Sequence, residues 1–428
     1  MSHRGFTLDE LTKLEGHAKL NVEMDGDRVK KTHLEVYEAS RYFESLLLGR
    51  DFREAPIITQ KICGICSVVH TLTSIKAVED AIGFAPTEQT IDLRKLLLYA
   101  STIHSHTAHL FFFALPDYLG FEDVIELSRK KHEYIHLALN LQKLASDIVR
   151  LLGGRALHPV TPTVGGFHSV PDKKTIESVR KNLESIKKLS LQVAKIFSSI
   201  ELPELEARCR YVSLKSNKEY ALYDGIIASN DGLLFRPRDY MKNLLEDVVE
   251  YSNAKHAKLR GRSYMTGSLP RVNASWERLS RDARSALRNA RLRPPIINPF
   301  ANNLAQSIEM IHFADASLAL LEKHGQGMKQ EHFEARPKEG EGVGVCEAPR
   351  GLLFHHYKIG GDGRVKFANV ITPTSQNAAR MEDDIALFLP SLSKKPAAKV
   401  KLLLEMLIRA YDPCFSCSAH FLELKVKK

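Results

Sequence analysis

The chain has 428 residues, of which 44% are hydrophobic and 26% charged, an ordinary composition for a globular protein with a sizeable core. The formal net charge is +10, but the basic residues are scattered among acids, so we expect a solvated surface or an acidic partner subunit and no nucleic-acid partner. The sequence has no apolar run long enough to cross a bilayer and no apolar signal region at its start, so we expect a cytoplasmic protein without a transmembrane segment.

The first half of the chain predicts one hairpin and several helices. Polar and apolar residues alternate over 17–24 and 29–37, on either side of an Asp-Gly-Asp turn, as in a β-hairpin. A short helix is predicted from Phe43 to Leu48, and a longer one over 67–82 that stops at Gly83. Long helical patterns then indicate the core of a helix bundle; they cover residues 87–115, 121–152 and 173–200.

The second half of the chain has a more mixed pattern. Residues 203–236 predict short strands, and helical patterns return over 238–255 and 302–324. The stretch 336–351 is rich in glycine and proline and predicts loop with short strands. The remaining predicted elements are a hairpin of 352–357 with 365–370 and helices at 376–388 and 396–411.

These patterns predict a mainly α protein with small antiparallel β elements, an α+β fold in which a central bundle of long helices carries peripheral hairpins. We expect one compact unit over 1–428, because no linker or repeat divides the chain. Within it the sequence distinguishes an N-terminal hairpin region at 14–40, a helical core at 67–330, and a C-terminal hairpin and metal-binding end at 336–420.

Four of the six cysteines form two CxxC pairs at opposite ends of the chain, Cys63 with Cys66 and Cys414 with Cys417. Each pair brings two sulfurs within reach of one cation, and four thiolates suit zinc, an iron–sulfur centre or nickel. The first pair opens a helix, whose positive N-terminal end favours thiolate over thiol. Spacing alone leaves a structural zinc site open, although zinc-site pairs usually lie some tens of residues apart.

Longer motifs around these cysteines are more specific. CGIC with His70 behind it, and DPCxxCxxH near the C-terminus, resemble the paired signatures of nickel–iron hydrogenase large subunits. Lys13 and Lys61 stand where that family commonly has arginine, which keeps the charge. Further family-like segments follow in the family order; they are KLEGH at 13–17, RYFE at 41–44 with LGR at 48–50, EAPRG at 347–351 and ITPT at 371–374.

The resemblance implies a nickel–iron centre whose iron carries carbon monoxide and cyanide. All four cysteines would bind nickel, with Cys63 and Cys414 as terminal ligands and Cys66 and Cys417 as bridges to the iron. Soft thiolates suit a redox metal of this kind. The implied reaction is the reversible heterolytic oxidation of dihydrogen to protons and electrons, with Cys414 as the first proton acceptor.

The resemblance also implies residues that move protons and stabilise charge. Glu15 would stand beside a terminal cysteine as the next proton carrier. Arg350 would hang over the open metal site, where its fixed charge stabilises anionic species and can donate toward cyanide. Asp412 would pair with Arg350 or a neighbouring residue, and His70 could hydrogen-bond a thiolate.

Other side chains are assigned more peripheral roles. Thr374 is a candidate hydrogen-bond donor to cyanide, and Pro349 is a neighbour of the cofactor. Asp117 is a candidate member of the same polar surroundings, although a helix-end cap explains it equally well. Three clustered histidines could imitate a metal site, but we interpret them as core or proton-network residues; they are His104, His106 and His109.

Glu44 and His420 resemble the family's magnesium or iron site near the C-terminus. Residues 421–428 follow this histidine. In the family a protease often cuts at that point once nickel is loaded, so the chain is either a precursor or retains its tail.

The short chain resembles the cytosolic multi-subunit class, which is NAD(P)-linked or sulfhydrogenase-like. NAD(P) coupling is our leading hypothesis; the alternatives are a deazaflavin, ferredoxin or disulfide-reductase acceptor, or a hydrogen sensor of the same fold. The chain has no G-x-G-x-x-G fingerprint and no further cysteine cluster, so iron–sulfur clusters, flavin and NAD(P) are expected only in partners. The expected partners are a small iron–sulfur subunit, flavin/NAD(P) diaphorase subunits, a maturation protease and nickel-insertion proteins.

Overall fold

The computed structural model describes residues 3–25, 28–324, 327–331 and 333–419. His420 and the tail 421–428, for which the sequence predicts metal binding and removal, lie outside these described residues. The tip of the N-terminal hairpin also lies outside them.

The described residues form helices and strands with the following bounds. The helices are α1 (Phe43–Leu47), α2 (Ala55–Thr59), α3 (Ser67–Ile82), α4 (Glu88–Ala108), α5 (Leu115–Tyr118), α6 (Val124–Lys130), α7 (His132–Gly153), α8 (Lys173–Ser198), α9 (Ser268–Ser275), α10 (Arg281–Asn289), α11 (Asn302–Lys323), α12 (Pro373–Phe388), α13 (Ala397–Ala410) and α14 (Phe415–Ser418). The strands are β1 (His3–Leu8), β2 (Ala18–Asp25), β3 (Arg28–Val36), β4 (Pro162–Thr163), β5 (Gly166–Phe167), β6 (Arg210–Lys215), β7 (Ile226–Ser229), β8 (Leu234–Phe235), β9 (Leu244–Asp247), β10 (His256–Leu259), β11 (Tyr264–Met265), β12 (Gly340–Ala348), β13 (Gly351–Ile359) and β14 (Val365–Ile371).

Four long helices form the centre of the molecule. Helix α11 packs against α4 and α8, and α7 packs against the same two helices. Helices α7 and α8 bury one stripe, as amphipathic surface helices do, whereas α4 and α11 are buried over most of their surface. Polar side chains on α4 and α11 therefore need hydrogen-bond partners inside the protein. Among the described helices, none combines the length and the apolar character needed to span a bilayer.

The small sheets lie around this bundle. Strands β1, β2 and β3 form an antiparallel sheet, and β12, β13 and β14 form another. A third sheet has the order β11-β6-β7-β8, in which only the β11–β6 pair is parallel. Helix α3, which begins directly after Cys66, packs on β12 and β13. The sheet of β12, β13 and β14 thus supports the helix that follows the first cysteine pair.

Strand β12 approaches α3 closely because it carries glycine at every second position, Gly340, Gly342 and Gly344. A Cβ atom at Gly344 would overlap the carbonyl oxygen of Thr73, and one at Gly342 would overlap the backbone of α3 as well. Only glycine allows two backbones to meet at this distance. The contact fixes the start of α3 relative to the loop that follows β12.

We expect Gly344→Ala to destabilise the fold by about 1–3 kcal/mol, because the added methyl group must push a helix and a strand apart. The midpoint of chemical unfolding measures this change. Gly361→Ala is the matched control, since a Cβ there meets no atom within 4 Å. Equal midpoints for the two variants would contradict the packing argument.

The predicted α+β class and most elements are confirmed. The hairpin is present as β2 and β3, the helix over 67–82 is α3, and the second hairpin is β13 with β14. The long pattern at 87–115 contains a π-helical segment at His109–Ala114, and the pattern at 121–152 breaks at Lys131. The division of the chain into one unit stays a prediction.

One prediction of secondary structure is wrong. Residues 238–255, predicted as helix, form a 3-10 turn followed by β9, because pairing with β10 overrides local helical spacing. The glycine-rich stretch at 336–351, predicted as loop with short strands, contains strand β12, whose glycines allow close packing against α3. Helices α9 and α10 were not predicted, and α10 has only two buried residues, Ala283 and Leu287, to mark its inner face.

Candidate metal centre

The first cysteine pair sits where a short 3-10 turn passes into α3. Cys63 has extended backbone angles, and Cys66 occupies the N-cap position of the helix. The backbone N–H of Cys66 donates a hydrogen bond to the Cys63 sulfur over 3.4 Å. Hydrogen bonding between the two side chains lowers the pKa of the Cys63 thiol, and the same contact together with burial raises the pKa of Cys66. The pair therefore holds one proton more readily than two.

The second pair follows a sharp turn at the end of α13. Asp412 has a φ of 52°, a left-handed conformation in which aspartate is one of the more tolerant residues. The turn sends the chain back, so that Cys414 precedes α14 and Cys417 lies within it. The N–H of Cys414 donates to the hydroxyl oxygen of Thr374 over 2.9 Å, and the N–H of Phe415 donates to the carbonyl of Glu15 over 2.9 Å.

The four sulfurs come together although their pairs lie at opposite ends of the chain. The Cys63 and Cys414 sulfurs are 3.6 Å apart. The sulfurs of Cys63, Cys66 and Cys417 all lie within 4.8 Å of one another, and each of these residues is buried. The sulfurs of Cys414 and Cys417 are in direct contact. A set of four soft thiolates fits nickel, and by sulfur chemistry alone it also fits zinc.

Glu15 lies directly against the second pair. Its Oε2 atom is 3.1 Å from the Cys414 sulfur and accepts the backbone N–H of Ser416 over 3.1 Å. The hydroxyl of Ser416 donates to the other carboxyl oxygen. Glu15 is half-buried, so this carboxyl lies between the buried sulfur and the protein surface.

Arg350 follows β12 and reaches the first pair from the other side. Its Nη1 atom donates to the Cys66 sulfur over 3.0 Å. Its Nε donates to the carbonyl and to Oδ1 of Asp412, over 2.7 and 3.1 Å, and Nη2 lies 3.0 Å from the same Oδ1. Burial disfavours the guanidinium charge, but Asp412 and the cysteines outweigh it and raise the pKa of Arg350. The predicted pairing of Arg350 with Asp412 is therefore present in the structure.

A small cavity lies at this meeting point. Of the predicted residues, His70, Arg350 and Thr374 line it together with three of the cysteines. His70 Nδ1 is 3.1 Å from His355 Nε2, and His355 Nδ1 is 2.5 Å from the Tyr357 hydroxyl. Ala348 also lines the cavity, whereas the carbonyl of Pro349 accepts a hydrogen bond from Arg271.

Glu44 lies apart from the sulfurs, in a cluster of charged side chains. One of its oxygens accepts the backbone N–H of Val370 over 2.9 Å, and the other lies 3.8 Å from the Lys255 ammonium. Lys255 is 3.5 Å from Glu246, and burial raises the pKa of that carboxyl to about 7. The predicted second metal ligand, His420, is not among the described residues. The sequence did not single out Lys255 or Glu246.

Asp117 lies in a separate ion-pair cluster. Its carboxylate pairs with Lys13 and with Nη1 of Arg409, the latter over 2.6 Å, and not with Arg350. The clustered histidines of α4 and the segment after it contact separate partners. His106 Nε2 lies 2.9 Å from Glu309, and His109 Nδ1 lies 2.6 Å from Gln306, as expected for network histidines. Glu309, Gln306 and Arg271 were not identified from the sequence, because no local motif contains them.

Comparison with known proteins distinguishes between the metals that four thiolates suit. A family profile described as nickel-dependent hydrogenase matches residues 41–136 and 236–420. The chain is 34% identical to sulfhydrogenase 1 subunit alpha of Pyrococcus furiosus over 98% of each chain. It is 29% identical to NAD-reducing hydrogenase HoxS subunit beta of Cupriavidus necator, covering 98% of this chain and 95% of that one.

The fold agrees with the sequence comparison. The crystal structure of an NAD+-reducing NiFe hydrogenase in the H2-reduced state matches with a TM-score of 0.86 and 26% identity, covering 97% of this chain and 99% of that one. The matched residues include both cysteine pairs and the segment 347–350, which we call the Arg350 loop. This chain belongs to the nickel-dependent hydrogenase family.

Proposed function

We propose that this chain is the catalytic subunit that oxidises dihydrogen, reversibly and heterolytically, at a nickel–iron centre. The observation that carries the proposal is the convergence of four cysteine sulfurs from opposite ends of the chain, with a carboxyl and a guanidinium group in contact with them. When bound, the centre supplies the redox chemistry and the position at which dihydrogen is polarised. Cys63 and Cys414 would hold nickel, and Cys66 and Cys417 would hold nickel and iron.

Proton movement is proposed to begin at the Cys414 sulfur. The proton passes from this sulfur to Oε2 of Glu15, across the 3.1 Å that separates the two atoms. A distance of this length allows direct transfer without an intervening water. The two hydrogen bonds from Ser416 hold the carboxyl in place, and its half-buried position allows the proton to continue outward.

Arg350 is proposed to stabilise negative charge at the open side of the centre. Its guanidinium stays charged at any working pH, and Asp412 fixes its orientation through contacts with Nε and Nη2. Thr374 and Pro349 are proposed neighbours of the diatomic iron ligands. His70 is proposed as a hydrogen-bond donor to a thiolate, with His355 holding its other ring nitrogen.

Glu44 is proposed as a ligand of a magnesium or iron(II) ion, together with His420. A carboxylate, an imidazole, a backbone carbonyl and waters form an octahedral set of the kind magnesium prefers. Cleavage of residues 421–428 by a maturation protease, after nickel insertion by dedicated proteins, belongs to the same proposal.

Electrons are proposed to leave through a small iron–sulfur subunit and then through flavin/NAD(P) diaphorase subunits in the cytoplasm. The named activity of the NAD-reducing relatives supports NAD(P) as acceptor. The chain has only two further cysteines, Cys209 and Cys346, and they lie apart in the sequence, so a cluster needs partner ligands.

Metal analysis of the purified native complex tests the proposal. We expect nickel and iron bound to this subunit without stoichiometric zinc, and infrared bands from carbon monoxide and cyanide. We also expect the complex to reduce NAD+ or NADP+ under dihydrogen. Zinc alone, without infrared bands or dihydrogen uptake with an artificial dye, would refute the hydrogenase proposal; dye reduction without pyridine-nucleotide reduction would refute only the acceptor.

A further inference from the structure

One face of α11 carries three polar side chains that point into the interior. Asn302, Gln306 and Glu309 follow the spacing that places residues on the same side of a helix. Each is at most 2% exposed. Buried polar groups of this kind are retained when their hydrogen bonds fix other parts of the structure. Two of the three lead, by separate routes, to Arg350.

The first route runs through Arg271 on α9. Glu309 binds its guanidinium with both carboxylate oxygens, over 2.6 and 2.8 Å. The guanidinium also donates to the Ser268 hydroxyl over 2.9 Å and to three consecutive residues: Oε2 of Glu347 and the carbonyl of Ala348, each over 3.0 Å, and the carbonyl of Pro349 over 3.1 Å. One guanidinium therefore holds the whole segment immediately before Arg350.

The charges in this cluster support a fixed position for the Arg271 guanidinium. Burial favours a neutral carboxyl, but Arg271 outweighs it and holds the pKa of Glu309 well below its usual range. Burial raises the pKa of Glu347 to about 7, although Arg271 opposes this. Glu309 is thus the main counter-charge of Arg271, and three further hydrogen bonds of the guanidinium reach residues 347–349.

The second route runs through Gln306. Its side-chain amide donates to Oδ2 of Asp412 over 3.0 Å, and its carbonyl oxygen lies 2.6 Å from His109 Nδ1. The other ring nitrogen of His109 lies 2.7 Å from the carbonyl of Arg409. Asp412 uses its second oxygen, Oδ1, to bind Arg350. Gln306 therefore orients the carboxylate that orients the guanidinium.

We infer that Arg271 and Gln306 are positioning residues that hold the Arg350 guanidinium against the cysteine sulfurs. Arg271 fixes the backbone from which Arg350 extends, and Gln306 fixes the carboxylate that binds its tip. The inference rests on the proposed role of Arg350 in dihydrogen turnover. Losing a partner one step removed from a metal site typically costs about 10- to 100-fold in activity, and we expect losses of that size here.

Arg271→Lys in the native complex tests the first route. Lysine keeps the positive charge but cannot bind Glu309 and three loop acceptors at once. The matched control is Arg94→Lys, because Arg94 is equally buried and binds Glu79 with two hydrogen bonds, of 2.6 and 2.8 Å, but contacts no residue of the Arg350 loop. Both variants replace a buried guanidinium that makes two hydrogen bonds to a carboxylate. An effect that both variants show therefore reflects lost stability, and an effect of Arg271→Lys alone reflects the position of Arg350.

We expect Arg271→Lys to keep nickel and iron at wild-type stoichiometry, to lose about 10- to 100-fold in kcat and to shift the infrared bands of the iron ligands. Arg94→Lys should lower the melting temperature without changing kcat or the bands. In an Arg350→Lys background, Arg271→Lys should have no further effect on kcat, since the residue it positions is gone. Equal kcat values for the two single variants would overturn the inference. So would a further 10- to 100-fold loss of kcat when Arg271→Lys is added to Arg350→Lys.

Gln306→Met tests the second route and keeps the inference falsifiable if Arg271→Lys does not fold. Methionine has nearly the volume of glutamine but lacks the amide that binds Asp412. A loss of kcat with shifted infrared bands and unchanged metal content supports the inference, and wild-type kcat and bands overturn it. A wild-type complex without nickel, iron or dihydrogen turnover would instead refute the proposed function.

Discussion

A Cys417→Ser variant is expected to bind no nickel and to show no measurable dihydrogen turnover. Cys417 is one of three buried residues whose sulfurs all lie within 4.8 Å of one another, and the fourth cysteine sulfur is adjacent. A serine hydroxyl is a harder and far less acidic ligand than a thiolate, so it does not replace sulfur at a nickel site. Nickel and iron content, measured on the purified complex, is the primary readout, and dihydrogen uptake with an artificial dye is the second.

Cys209→Ser provides the matched control for this substitution. Cys209 is half-buried and lies beside Arg208 and Arg210 in a surface pocket that none of the metal-binding cysteines lines. We expect the control to keep both metals and its turnover. If Cys417→Ser retained nickel at wild-type stoichiometry and turned over dihydrogen, the four-sulfur assignment would be wrong.

Replacing Glu15 by glutamine is expected to lower dihydrogen turnover by about 10²- to 10⁴-fold, the usual contribution of a positioned acid or base. Glutamine has the same shape and can still accept the N–H of Ser416, so the local structure should persist. It cannot take a proton from the Cys414 sulfur, however. Turnover measured together with nickel and iron content separates a lost proton carrier from a lost metal.

Glu10→Gln is the control for Glu15→Gln. Glu10 belongs to the same N-terminal segment, but its side chain is 64% exposed and lies 4.0 Å from the His17 ring. The control should keep wild-type turnover. Near-normal activity of Glu15→Gln, with both metals bound, would remove Glu15 from the proton route.

The sequence predicted the features that depend on residues close together in the chain and missed those that depend on distant residues. Helix α3 and the two hairpins depend on residues close together in the chain, and local pattern predicts them. The extent of strand β12 was not predicted, because its glycines pack against a helix more than 250 positions earlier in the numbering. Strand β9 was mistaken for helix because its partner, β10, has to be present before the strand is favoured.

The sequence by itself determined the family, the α+β fold class and the hydrogenase activity, and the comparisons confirm them. It could do so because metal ligands and their immediate neighbours occur in short motifs, where chemistry restricts the residue at each position. Only the tertiary structure showed that Arg271 binds the segment before Arg350, that Gln306 binds Asp412, and where Asp117 pairs. These contacts join residues from distant segments, and since no local spacing records them, they exist only once the bundle has packed.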